Sequence, residues 1–264
     1  MFFRRINFCQ FGKTGLNGPQ VTIAKNIIRF FQFFDSPRNL SEIDDSEFDF
    51  RLLVVEKPVE LPDGKTNFGF VFSGEATLVV DGRSFSLTRG MYFSAVGKAS
   101  LFGNAQIAVM SQRNYVGIFG VGGPVEEKGR LQYIDGCSDT LLISPVLKGD
   151  ACLNFLKLPA HTNQTFHTHP SLRFGIIFSG SGHCDFPDGS EPLFPGKVFY
   201  IPPDGEHRFR TEEQSLSVIA FHPDSDFGPH DDFHPMVNRT IVNGIPAARL
   251  SHEQRGITQT KADA

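Results

Sequence analysis

From Phe48 onward the chain runs in short apolar stretches broken by Gly, Pro and Asp, the pattern of an all-β domain. Asp63-Gly64, Asp81-Gly82 and Gly90 punctuate it as turns. No stretch holds a 3.6-residue period over three turns, so the helix content should be low. Before Phe48 the first 45 or so residues mix polar turns with one apolar patch, Ile27-Ile28-Arg29-Phe30-Phe31-Gln32-Phe33-Phe34. That patch predicts one or two strands covering a sheet edge or a neighbouring subunit. Gly12, Gly15 and Gly18 lack both the spacing and the Lys-Ser/Thr ending of a phosphate loop, and are expected to be turns.

The pattern repeats. Phe68-Gly69-Phe70-Val71-Phe72-Ser73-Gly74 matches Phe174-Gly175-Ile176-Ile177-Phe178-Ser179-Gly180 at an offset of 106 residues, and Gly90 and Gly196 keep that offset. Asp81-Gly82 and Asp188-Gly189 are 107 apart, so the second copy gains one residue and loses it again before Gly196. Two β-domains are therefore expected, residues 1–145 and 146–264. Composition agrees with a packed β interior: 28 Phe, four Tyr and no Trp in 264 residues.

Charge and cysteine usage exclude more than they assign. A net charge of −4 without a basic run argues against a nucleic-acid partner. Cys9, Cys137, Cys152 and Cys184 have no C-x-x-C spacing, which suits free thiols in a reducing compartment. Met1-Phe2-Phe3-Arg4-Arg5 opens no apolar signal-peptide core, and no apolar run reaches the ~18 residues of a membrane span. A cytoplasmic protein without a membrane partner is expected, which makes the sequons at Asn39, Asn163 and Asn238 chance matches.

All nine histidines lie at or after position 161. His167 and His169 are two apart, so on extended chain both imidazoles share one face. Arg173 and Gly180 follow, then Gly196, Pro202 and His207. The order H-x-H-x3-R-x6-G, then G-x5-P-x4-H, resembles the two motifs of the cupin superfamily, H-x-H-x3-4-E-x6-G and G-x5-P-x-G-x2-H-x3-N. Arg173 stands in place of the motif glutamate, Asp204 in place of the glycine and Thr211 in place of the asparagine. With the internal repeat, the resemblance implies a bicupin: two tandem double-stranded β-helix (jelly-roll) barrels, each enclosing one cavity.

The resemblance also implies a divalent metal held by His167, His169 and His207, with Fe(II) favoured and Mn, Zn or Ni as alternatives. The opposing reading is a metal-free barrel whose histidines are merely packed or exposed. In the first copy the equivalent positions are Leu61, Asp63, Asn67 and Leu101, so that half is expected to be structural. Arg173 cannot ligate a metal. It either clamps a substrate carboxylate beside the ion or turns outward to an acid such as Glu206.

Strand alternation from Arg173 turns Gly175 and Ile177 towards the cavity, and the register of the first copy adds Cys184 and Phe186 while turning His183 out. Tyr200 and Glu206 flank His207 as candidate acid or base. His161 is expected to be exposed, and one of His222, His230 and His234 to reach the cavity. Three functions follow: an Fe(II) oxygenase acting on a small carboxylic acid, a non-redox metal-dependent isomerase or hydrolase, and a small-ligand-binding module without turnover. A homodimer is the expected assembly.

Overall fold

A computed structural model describes residues 22–23, 31–34, 42–44, 48–147, 149–224, 241–242 and 245–246. Among them the chain is β-structure with one short 3-10 turn, Ile134–Gly136, and no α-helix. No helix there is long and apolar enough to cross a membrane. A nine-stranded sheet collects the strands from Thr22–Ile23 to Gly120–Gly122. A seven-stranded and a three-stranded sheet collect those from Leu131–Gln132 to Leu216–His222. One early strand crosses over. Gln32–Phe34 adds to the edge of Val198–Ile201, with Phe33 opposite Phe199, so part of the early apolar patch does cover a sheet edge.

The two halves repeat in backbone detail. Lys65–Val80 pairs with Tyr92–Val96 so that Gly69 faces Phe93, and Arg173–Gly180 pairs with Val198–Ile201 so that Gly175 faces Phe199. In both, the glycine makes room for the opposing ring: a Cβ at Gly69 or Gly175 would overlap Phe93 or Phe199. The ladder slips at the same place, between Val71 and Ser73 and between Ile177 and Ser179. The chain then turns through Gly74 at φ 78° and Gly180 at φ 80°, values that favour glycine. Gly90 donates to the Val71 carbonyl and Gly196 to the Ile177 carbonyl, each at 2.8 Å.

Alternation sends one face of each sheet into the half's own interior and the other into a layer between the halves. That layer is phenylalanine-rich: Phe50 stacks on Phe174 at 4.1 Å, Phe70 meets Phe178 edge-on at 5.0 Å, and Phe68 lies 5.1 Å from Phe221. Each buried Phe removes enough apolar surface to stabilise the fold by about 1.5–3 kcal/mol. The layer thus binds the halves into one body.

The interiors differ. In the first half Leu61 and Leu101 are buried in an apolar cluster, and Asp63 is exposed. Asn67 spends its polar groups locally, donating to the Pro62 carbonyl at 3.0 Å and accepting from Ser111 Oγ at 2.6 Å. Cys137, Cys152 and Cys184 are buried and outside any disulfide.

Candidate metal centre

The centre is built where two loops cross the mouth of the second half's interior. His167 and His207 form an antiparallel bridge, each backbone N–H donating to the other's carbonyl at 3.0 Å. Asp204 N donates to the His169 carbonyl at 2.7 Å, tying the turn Pro202-Pro203-Asp204-Gly205 to the same strand-like segment. Asp204 has φ 56°, so this position needs left-handed backbone, which explains the glycine of the usual motif and why an aspartate can replace it.

The three imidazoles converge. Their ring centroids lie 4.5 to 5.3 Å apart, and one nitrogen from each lies within 4.8 Å of the others. Among the described residues no other such group of three is found. Backbone carbonyls set the tautomers. His167 Nδ1 lies 2.9 Å from the Thr165 carbonyl and His207 Nδ1 2.8 Å from the Gly205 carbonyl. A carbonyl only accepts, so both Nδ1 atoms carry the proton and both Nε2 lone pairs are left for a ligand. Burial holds the His207 pKa down to about 4 and the His169 pKa lower still, with the Arg173 cation adding to both. Both are therefore neutral at physiological pH, the form that binds a metal. A nitrogen-only set of this kind suits Fe, Zn, Ni or Cu, so the residues present fit a divalent ion.

Arg173 is buried at 3% exposure and lines the same cavity. Its Nη1 donates to Ser171 Oγ at 2.7 Å and to the Ser171 and Leu172 carbonyls at 3.2 and 3.1 Å. It does not turn out to solvent. His222 is buried, its ring 6.4 Å from that of His169, and among the described residues it is a late histidine that reaches the cavity. Burial pushes its pKa well down, with Arg173 and His169 contributing. His230 and His234 lie outside the described residues.

Several expected residues do not line the cavity. Tyr200 points to the opposite face of its strand, into the layer between the halves, with its ring 5.9 Å from Phe174. Glu206 is exposed, between buried Gly205 and buried His207. Gly175 faces inward but lies under the Phe199 ring. Ile177 and Cys184 are fully buried in the apolar cluster that contains Phe199, and burial pushes the Cys184 thiol far up, away from a reactive thiolate. Phe186 is covered by the early strand, stacking on Phe31 at 4.9 Å and Phe33 at 5.8 Å. His161 is exposed, with Nε2 3.8 Å from Glu213.

In their place the cavity wall carries Asp139, Asn154 and Gln164, which sequence reasoning missed. Gln164 is structural: its Oε1 accepts from Phe209 N at 3.0 Å and its Nε2 donates to Cys137 Sγ at 3.4 Å. Asp139 accepts from Asn154 Nδ2 at both carboxylate oxygens, 3.2 and 3.0 Å. Burial raises its pKa to about 6, against the pull of that amide. One signal was visible: Asn154 interrupts the apolar run Cys152-Leu153-Asn154-Phe155-Leu156.

The strand pairing common to both stretches and the solved structures that superpose on it decide the fold. The fold is that of a cupin. A protein described as a cupin 2 conserved barrel domain protein, from Leptotrichia buccalis, superposes with a TM-score of 0.55 at 9% identity, over 76% of this chain and 92% of that one. Salicylate 1,2-dioxygenase from Pseudaminobacter salicylatoxidans superposes with a TM-score of 0.52 at 15% identity, over 67% of this chain and 70% of that one. Its gentisate adduct gives 0.52 at 14%, over 67% of each chain. At these identities the likeness is one of fold. The AraC-like ligand binding domain matches residues 153–243, the stretch that holds all three histidines. No curated protein matches the chain.

Proposed function

We propose that this cupin is a bicupin enzyme with one metal centre, an Fe(II) oxygenase acting on a small carboxylic acid. The observation that carries the reading is the convergence of three imidazoles, two with Nε2 freed by a backbone carbonyl, beside a buried arginine. His167, His169 and His207 would hold the ion, which supplies Lewis acidity and, as iron, a route to oxygen chemistry. Arg173 is a permanent cation on the wall of this cavity, and its planar guanidinium suits a carboxylate entering the mouth. The apolar walls, among them Leu156, Phe199 and Val218, exclude water from the rest of the ligand. The salicylate dioxygenase among the structural neighbours is an oxygenase by name and supports the reaction class at the level of fold.

A second reading rests on a different observation. The match to an AraC-like ligand binding domain favours a cupin that binds a small ligand without turnover. Oxygen uptake separates the two. The iron-loaded protein, screened with short and aromatic carboxylic acids, should consume oxygen with at least one of them. Arg173→Met should retain its metal and bind that acid on the order of tenfold to a hundredfold more weakly, the loss of a charge-assisted contact. Acid binding without oxygen uptake or product would favour the second reading, and undiminished acid affinity in Arg173→Met would remove the clamp.

A further inference from the structure

The cavity has a polar element deeper than the histidines, on strands that the metal motifs do not include. Asn154 is 1% exposed and lies on Cys152–Leu158, opposite Ala220, which is in turn opposite Gly175. These three residues make one row across the sheet. His222, opposite Cys152, lies one row nearer the mouth, two residues along the strand or about 7 Å away.

Asn154 has its amide committed. Nδ2 donates to Asp139 on the neighbouring strand Ser138–Ile143, so the side-chain oxygen is turned away from that carboxylate. Among the described residues no donor reaches Asn154 Oδ1. A buried acceptor left without a donor costs about 1–3 kcal/mol, and this one belongs to the wall of a cavity whose neighbouring wall atoms are the methyl of Ala220 and the side chains of Leu156 and Val218. Asp139 fixes which way the amide faces. A neutral amide held like this is a selector for a ligand's hydrogen-bond donor.

We propose that Asn154 Oδ1, oriented by Asp139, accepts a hydrogen bond from a hydroxyl or amine on the ligand, so that the site takes small acids that carry such a donor away from their carboxylate. The inference rests on the reading of this cavity as a ligand site, and it adds a specificity residue from outside the histidine motifs. Asn154 is a binding residue here and Asp139 a positioning one.

The test uses calorimetric titration of the intact protein with two matched pairs of probes: propionate with 3-hydroxypropionate, and 1-propanol with 1,3-propanediol. The hydroxylated member of a pair should bind about tenfold more tightly, the net effect of one hydrogen bond to a buried group. Asn154→Leu should erase that preference, so that the two members of each pair bind alike. Because this variant leaves the Asp139 carboxyl without its amide, the double variant Asn154→Leu/Asp139→Leu is run beside it and should show the same loss. Absence of hydroxyl preference in both pairs, or a preference that survives in the variants, overturns the inference and leaves Asn154 as an acceptor for water only. A hydroxyl preference that persists while acids bind no better than alcohols keeps the inference and removes the carboxylate clamp at Arg173. Binding of none of the four probes overturns both.

Discussion

Three histidines and one carboxyl of the second half are shifted from their solution behaviour so as to pull stability in opposite directions between pH 5 and neutrality. His169, His207 and His222 have folded pKa values depressed below 6.5, burial being the largest cause. The unfolded chain takes up protons at these positions from about pH 6.5 downward while the folded chain does not, so their contribution to stability is lost on acidification. Asp139 runs the other way: its folded pKa is raised from 3.8 to about 6, so it costs stability as pH rises through that window. Three groups against one set the sign. Metal-free protein should be less stable to denaturant at pH 5 than at pH 7.5, and equal or greater stability at pH 5 would contradict the lowered pKa values of the three histidines. The triad was legible in the sequence because His167 and His169, two apart, share one face of extended chain, and because their spacing with His207 resembles the cupin motifs. Asp139 and Asn154 were not, because their meaning depends on which strands pair side by side and which face of each turns inward. Tyr200 misled for the same reason: one position along Val198–Ile201 separates the cavity from the layer between the halves.

At the scale of single elements, the repeated glycine–phenylalanine pair is the clearest local device. Gly69 opposes Phe93 and Gly175 opposes Phe199, and each glycine lets an aromatic ring lie flat across its strand. At Gly69 the atoms nearest an added methyl belong to the Phe93 ring, and at Gly175 they belong to the Phe199 ring and the backbone carbonyl of Ile219, the latter at 2.5 Å. Gly69→Ala and Gly175→Ala should each destabilise by about 1–3 kcal/mol, readable in thermal melts as roughly 2–4 °C for each kcal/mol. A wild-type melting temperature in either variant would contradict the pairing described for that half. The offset of 106 residues made the duplication legible, since both copies keep the run that contains the glycine. The crossover of Gln32–Phe34 onto the second half's sheet was legible only as an apolar patch seeking an edge. Nothing local in those residues says which edge, because a strand edge is completed by backbone hydrogen bonds that any extended segment can supply.

For the molecule as a whole, the phenylalanine layer makes the two halves thermodynamically one. Phe50, Phe68 and Phe70 from the first half meet Phe174, Phe178 and Phe221 from the second. Phe174→Ala removes a ring stacked at 4.1 Å on Phe50 and should cost about 3–5 kcal/mol. The wild-type protein should unfold in one calorimetric transition, and two resolved transitions would contradict a shared core. The abundance of Phe pointed to a packed β interior but not to this layer, since period two marks two faces without saying which is turned to the partner half. The chemistry is as asymmetric as the fold is symmetric: Leu61, Asn67 and Leu101 fill or satisfy the first half's interior where the second half places histidine and arginine.

Elemental analysis of the purified, metal-reloaded protein beside its His167→Ala variant tests whether His167, His169 and His207 form a metal centre. The wild type should carry roughly one divalent ion per chain, with imidazole as its side-chain ligand type, and the variant should lose it. A full complement in His167→Ala, or none in the reloaded wild type, would contradict that assignment.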